Sequence, residues 1–356
     1  MNILVFNITT DADHPTQGVT TKWLNSLAAH FNQVHVITVH KGRLDLKDNI
    51  AVYSVGGELG YSKTRKTINF YKLLFKILRQ NEIHGCFTHM AVLFLLMGGP
   101  ILVIKKIMRV TWYAHSVLNP VMIGAYFISN VIITASPDSF RIKSSKIKVT
   151  GHGIDTKHYS RRRIQSRDIF TIGSVGRISR IKNYETLIHA LKSLMDEGND
   201  SFRVRLYGNI QTIDDEEYGR HLNSLVKSLG LGGKITFPGP LTSDQVPGVI
   251  SSFDVFVNML SKGGAGKAVL EAMSMEVPTL ICTPAFDHRL LREDRETLVF
   301  RPQDPISLKE KLNLLMQISC KERGDLGKRL RSIVMQEHSL DNLALKIKKI
   351  FERLQR

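Results

Sequence analysis

Acidic side chains are scarce in this chain: 32 Asp and Glu against 49 Lys and Arg over 356 residues leave a formal charge of +17 at pH 7. That excludes an acidic disordered tail. No metal site is expected either. The one run of four acids, Asp214 to Glu217, reads as the solvated start of a helix. Cysteine is rarer still. Cys86, Cys282 and Cys320 are odd in number and far apart, which excludes a disulfide scaffold and any metal or redox motif, and fits reduced thiols of a cytosolic protein. No apolar run is long enough to span a bilayer: the longest, Met90–Ile104, is broken by Gly98-Gly99-Pro100 and reads as a buried helix, a turn and a strand. NILVFNI follows Met1 with no basic region ahead of it, so no signal peptide is expected. No GxGxxG opens the chain, which argues against a nicotinamide enzyme, and there is no solenoid repeat or low-complexity tract.

What is present is alternation. Strand-like runs (Ile3–Ile8, Val34–Val39, Ala51–Val55, Val110–Ala114, Val131–Ala135) interleave with helical patterns at Thr21–Phe31, in the basic segment after Gly60 and near Val121–Phe127. A second series starts at Ile169: strands to Val175, at Arg203–Tyr207, Lys234–Phe237, Val255–Asn258 and Thr279–Cys282, with helices Tyr184–Met195, Glu216–Leu229, Val246–Ser252 and Gly266–Met275 between them. Such alternation implies parallel sheets covered by helices. The length suits two domains, placed at 1–160 and 168–337 with polar Ser160–Asp168 as linker, and the basic helix near 338–356 is expected to pack back on the first. Two doubly wound α/β domains facing across a cleft would hold ligands at the carboxyl ends of both sheets.

The charge is unevenly spread. Between Gly60 and Pro137 lie nine Lys and Arg and one acid, Glu82, with six of the nine in SKTRKTINFYKLLFKILRQ. Arg65, Lys72, Lys76 and Arg79 fall on one helical face; Ile68, Tyr71, Leu74, Phe75 and Leu78 fall on another. The pattern suits an anionic membrane surface and equally a solvated surface helix packed on its own sheet.

Arg177 and Lys182 flank a turn just past the strand-like Phe170–Val175, with Gly176 between strand and turn. Two such cations can stabilise a departing diphosphate electrostatically, although each alone is an ordinary exposed cation of a basic protein. Gly263, Gly264 and Gly266 lead into a helix, and small residues before a helix start leave free N–H groups for an anion. Glu271, among Ala268, Val269, Leu270, Ala272 and Met273, can accept hydrogen bonds from a vicinal diol such as ribose; the competing reading is an exposed i, i+4 pair with Lys267. In the first half, Gln17 and Gly18 sit in a strand-to-helix turn where Gly18 would open space for a phosphate or acceptor, and His115 follows the strand-like VTWYA, where a sugar hydroxyl could meet it.

Together these motifs resemble the retaining glycosyltransferases of family 4, which have the GT-B architecture. VGRISRIKN is similar to that family's VGR…KN segment, which implies that Arg177 and Lys182 bind the donor diphosphate. LEAMSMEVPTLI resembles its EAM-x-x-x-x-P-V segment, placing the ribose glutamate at Glu271. PGPLTSDQVPGVISSFDVFVNMLS, opening at Pro238, resembles the segment that ends the nucleobase pocket. TQGV, YAHS and TGHGID resemble the acceptor-side turn, the strand-end histidine and the interdomain crossover. One departure stands out: Gly263 occupies the position of the family's earlier glutamate, so the loop Gly264-Ala265-Gly266-Lys267-Ala268 would grip the donor sugar through backbone N–H groups or Lys267. The resemblance implies retention of configuration and no requirement for a metal. The expected reaction is a cofactor-free transfer from a UDP- or GDP-type donor to a hydroxyl acceptor in polysaccharide synthesis, and the basic face of 60–137 motivates a saccharide, lipid-linked saccharide or glycolipid acceptor at the inner face of the membrane. The rival readings are a non-catalytic nucleotide-sugar-binding homologue, a sugar-nucleotide epimerase and a basic nucleic-acid-binding protein. No nucleic-acid motif or interleaved aromatic platform accompanies the charge, so no nucleic-acid partner is expected.

Overall fold

The computed structural model describes residues 1–14, 17–114, 119–140, 142–162, 169–261 and 266–355. They form two compact units, one of Met1–Asp155 with Ser339–Arg356, the other of Thr156–His338.

In the first unit, seven strands form one parallel sheet: β1 (Asn2–Thr10), β2 (Gln33–Lys41), β3 (Ile50–Ser54), β4 (Gly85–His89), β5 (Met108–Trp112), β6 (Val131–Thr134) and β7 (Ile147–Val149), in the order β3-β2-β1-β4-β5-β6-β7. β1 is central and buried on both sides, which is why it reads as a continuous apolar run rather than an alternating one. Its alternate side chains feed two cores. Leu4 and Phe6 meet Phe70, Leu74, Phe94, Leu95, Met122 and Ala125, from α2 (Lys63–Gln80), α3 (Val92–Ile104) and α4 (Pro120–Ile128). Ile3 and Val5 meet Trp23, Leu24 and Leu27 of α1 (Val19–Ala28), together with Leu343, Ile347 and Phe351 of the C-terminal helix Leu340–Gln355. Ser62 and Asn119 cap α2 and α4 by accepting from Arg65 N–H and Met122 N–H.

Two expectations fail here. Met90–Ile104 is not helix, turn and strand but the continuous α3, with Pro100 inside it. Its glycines are packing devices rather than punctuation: a Cβ on Gly99 would come within 2.5 Å of Ile128 Cγ2, and one on Gly98 within 3.1 Å of Phe70. Pro100 faces solvent, and the hydroxyl of Tyr71 donates to the Met97 carbonyl one turn earlier, at 3.2 Å. The expected apolar face of α2 also divides differently. The buried stripe is Phe70, Leu74 and Ile77, while Ile68 and Phe75 are exposed beside the cations.

The second unit is built on a five-stranded parallel sheet, β8 (Phe170–Val175), β9 (Phe202–Tyr207), β10 (Ile235–Gly239), β11 (Val255–Asn258) and β12 (Thr279–Ile281), in the order β10-β9-β8-β11-β12. Its helices are α5 (Tyr184–Asp196), α6 (Ile213–Ser228), α7 (Val246–Ile250), α8 (Lys267–Ser274), α9 (Arg295–Leu298), α10 (Pro305–Gln317) and α11 (Cys320–Ile333). The last three have no counterpart in the sequence reading. Strand order reverses at β8: the chain builds outward to β10, then returns to the other side of β8 as β11. The crevice at the carboxyl ends of β8 and β11 is therefore this unit's switch point, where open α/β sheets take ligands. Among the described residues no helix is long and apolar enough to cross a membrane.

Candidate functional site

Segments leaving β8 and β11 line the switch point. After β8, Gly176 donates to the Tyr207 carbonyl at 2.9 Å, and a short 3-10 turn, Arg180–Lys182, follows. Asn183 ends that turn in the left-handed region, φ 51° and ψ 53°, a conformation its short polar side chain tolerates; its amide donates to Thr186 Oγ1 at 2.6 Å as α5 begins. Tyr184 is buried beneath, its N–H donating to the Tyr218 hydroxyl at 3.0 Å, and burial pushes its own phenol up to about 12. This scaffold folds Lys182 back along the strand end, where a Cβ on Gly176 would lie 3.4 Å from its Nζ. Burial lowers the Lys182 pKa, and no hydrogen bond or ion pair engages its ammonium among the described residues. A desolvated cation without a counter-ion is costly, and an anion at the strand ends would relieve it.

Arg177 has a different environment. Its Nε donates to Asp215 Oδ2 at 2.7 Å and its Nη2 to Thr212 Oγ1 at 3.4 Å. The same carboxylate oxygen accepts from Gln211 N–H at 3.0 Å and Thr212 N–H at 3.2 Å, and the Arg177 hydrogen bond holds the Asp215 pKa below the usual carboxylate value. Asp215 is thus a buried capping-box residue of α6, not a solvated one as its acidic neighbours suggest. It fixes one edge of the guanidinium while the rest stays exposed.

On the β11 side, Asn258 ends the strand, buried, with Oδ1 accepting from Leu260 N–H at 3.2 Å. Gly266 follows at φ 74° and opens α8, and a Cβ on it would meet Asn258 Nδ2 at 3.4 Å. Gly263, Gly264 and Ala265 lie outside the described residues, as does His115. Lys267 and Ala268 form the first turn of α8. Glu271 does pair with Lys267, Nζ to Oε1 3.7 Å, but the pair is not the exposed one considered above, because Glu271 is only 8% exposed. Pro238 sits on edge strand β10, where a missing donor is tolerated, two strands from β8.

Gln17 and Gly18 belong to the first unit. Gly18 does not open space for a ligand: a Cβ there would lie 2.7 Å from the Ala12 carbonyl oxygen and 3.0 Å from that of His14, so the position is filled by the chain's own turn. Gln17 N–H donates to His14 Nδ1 at 3.1 Å, and its buried Oε1 has no hydrogen-bond partner among the described residues.

Three residues of these strand ends escaped the sequence reading. Gly208 lets β9 close on β8, since a Cβ would fall 1.9 Å from the Gly176 carbonyl oxygen. Asn258 could have been found as the polar end of an apolar strand. His89, at the end of β4 and therefore at the first unit's own switch point between β1 and β4, lies 3.4 Å by Nδ1 from Asn7 Oδ1, its ring 4.6 Å from that of Trp23.

Two parallel-sheet α/β units define the class as GT-B, and solved structures agree. Against HepE of Anabaena, solved with UDP, the TM-score is 0.73 at 16% identity over 99% of this chain and 100% of that one. Against a glycosyltransferase of Rickettsia africae it is 0.77 at 14% identity, over 100% and 99%. Residues 159–332, nearly the whole second unit, match the family Glycosyl transferases group 1. A mannosylfructose-phosphate synthase of Agrobacterium fabrum (strain C58) is 27% identical over 169 residues, which is 47% of this chain and 36% of the length of that relative.

Proposed function

We propose that this chain is a glycosyltransferase that moves a sugar from a nucleoside-diphosphate donor to a hydroxyl acceptor. The single observation that carries the reading is Lys182: a desolvated ammonium with no counter-ion among the described residues, at the β8/β11 switch point of a glycosyl transferases group 1 domain. A leaving diphosphate completes that environment, and the fixed charge gains strength as the glycosidic bond breaks. Arg177, held through Nε by Asp215, would present its other edge to the same phosphates. Glu271 would accept from the ribose hydroxyls, and Gly266 with the start of α8 would bring backbone N–H groups to the donor. Gly264, Ala265, Lys267 and Ala268 would complete the sugar side, His115 would meet a sugar hydroxyl, and Gly176 and Pro238 would border the nucleotide. Gln17 would serve the acceptor.

HepE has been solved with UDP-glucose, which favours a UDP-type donor over a GDP-type one. With two side-chain cations on the diphosphate, the transfer would need no divalent metal or other cofactor. Retention follows if the leaving phosphate takes the acceptor's proton on the face it departs from. The cation excess of 60–137 supports a lipid-linked saccharide or glycolipid acceptor at the cytoplasmic face of an anionic membrane. A thermal-shift screen against nucleoside diphosphates and their sugars tests the reading, because a ligand that binds only the folded state stabilises it by mass action, the more so the further its concentration exceeds its Kd. Stabilisation by one base's diphosphate and its sugar is expected. A flat response across the panel, or a gel shift with duplex DNA at physiological salt in its place, would overturn the reading. The anomeric configuration of an isolated product decides retention.

A further inference from the structure

Helices α2, α3 and α4 cover one face of the first sheet and share a single core. Each connects parallel strands, so the three lie side by side: Tyr71 of α2 bonds the Met97 carbonyl of α3, and Gly99 of α3 abuts Ile128 of α4. Their outward side is neither purely polar nor neutral. On α2, Ile68, Lys72, Phe75 and Arg79 follow one another at i, i+4, i+7 and i+11, a single exposed stripe. On α3, Ile104 is 81% exposed and is followed by exposed Lys105 and Lys106; on α4, Phe127 is 74% exposed. Lys72, Arg79, Lys105 and Lys106 pair with no acid among the described residues, and Glu82 is the one acid between Gly60 and Pro137. Bulky apolar side chains left in water on a cationic face are unusual for a solitary surface. Solvation alone accounts for the cations but not for Ile104 and Phe127.

We infer that this face docks on an anionic lipid bilayer, with Lys72, Arg79, Lys105 and Lys106 at the headgroups and Phe75, Ile104 and Phe127 at the acyl boundary. The partner is fixed by charge and by apolar side chains together: a bilayer supplies an anionic plane with an apolar layer beneath it, whereas a nucleic acid offers nothing for an isoleucine to enter. The inference deepens the proposed function by naming the surface that would bring a lipid-linked acceptor to the enzyme. Its test needs no turnover, so failed transfer with intact docking would count against the glycosyltransferase reading alone.

The experiment is co-sedimentation of the full chain with sucrose-loaded vesicles of phosphatidylglycerol and phosphatidylcholine, against pure phosphatidylcholine. Binding to the anionic vesicles that weakens with salt is expected. Each cation near such a surface contributes about fivefold, so Lys72→Ala with Arg79→Ala lowers the partition coefficient by about 25-fold at low salt. Ile104→Ser with Phe127→Ser lowers it at low and high salt alike. Both pairs change exposed residues, and an unchanged melting temperature confirms folding. Lys349→Ala with Arg353→Ala, on the C-terminal helix over the sheet's other side, should leave binding within about twofold. The inference fails if the chain ignores anionic vesicles at low salt, if the Lys349 and Arg353 pair matters as much as the Lys72 and Arg79 pair, if the serine pair changes nothing, or if duplex DNA competes fully at equal charge.

Discussion

Lys182→Met separates the two effects that a half-buried cation, unpaired among the described residues, should have. In the free protein the ammonium sits against Gly176 without a counter-ion among the described residues, and burial already lowers its pKa. A base whose folded pKa lies below its unfolded value opposes folding while it is charged in both states. That opposition is present at neutral pH and fades only as pH rises through the folded pKa towards the unfolded one. Methionine keeps the unbranched stem and removes the charge, so the variant is expected to be as stable as the parent or more so, by up to about 1 kcal/mol, or about 2–4 °C in melting temperature for a unit of this size. Transfer should move the opposite way. Removing one preorganised group from a developing oxyanion typically costs about 10²–10³-fold in turnover, and the melting shift produced by a nucleoside diphosphate should shrink or vanish. The assay is paired: thermal melting with and without nucleotide, and donor turnover at saturating acceptor. Parental turnover would refute the reasoning. So would a melting temperature several degrees lower with the nucleotide response intact, which would make Lys182 a structural residue.

Asp215→Ala should release Arg177 and remove the side chain that accepts from Thr212 N–H, lowering stability by about 1 kcal/mol and turnover by about tenfold; Asp215→Asn keeps an amide oxygen for that N–H without the charge, and recovery of stability but not of turnover would identify the Arg177 contact as the functional one. Glu271→Gln should raise the donor KM by about tenfold with little change in kcat, and an unchanged KM would remove the ribose assignment. His35 is buried, neither ring nitrogen has a hydrogen-bond partner among the described residues, and burial lowers its pKa. As pH falls through about 6.5 the unfolded chain takes up a proton that the folded chain resists, so stability should decline by at most about 1.4 kcal/mol per pH unit from this site. His35→Leu should flatten that part of the urea-denaturation profile between pH 7 and pH 5.

Residues with strong periodicity were legible in advance. Val255–Asn258 is the strand expected, and Tyr184–Asp196 and Lys267–Ser274 differ from expectation by a residue or two at their ends. The failures share a cause: a local signal overridden by a neighbour distant in sequence. Gly98-Gly99-Pro100 looks like a break, yet the glycines are small because Phe70 and Ile128 approach them. Asp215 looks solvated among four acids, yet Thr212-x-x-Asp215 has the spacing of a capping box. Ile68 and Phe75 fit an apolar stripe by type, but only the sheet decides which stripe of α2 it covers, and it chose Phe70, Leu74 and Ile77. Of the candidate site, Arg177, Lys182, Gly266 and Glu271 were visible as motifs. Asn258, Gly208 and His89 were not, because strand order brings them to the switch points and strand order is not written locally.

The chain leaves the first unit at Asp155 and re-enters it at Ser339, where Leu340 N–H bonds the Ile154 carbonyl at 2.8 Å and Phe351 comes to lie against Gly85 of β4. On a ribosome, the half that emerges first must therefore wait with that side of its sheet covered by α1 alone while the whole second half is synthesised. The later-made unit can close before the earlier one, reversing the usual amino-to-carboxyl order of domain maturation. Through that interval Trp23, Leu27 and Phe87 lack their lid, and it is there that a chaperone would find the nascent protein.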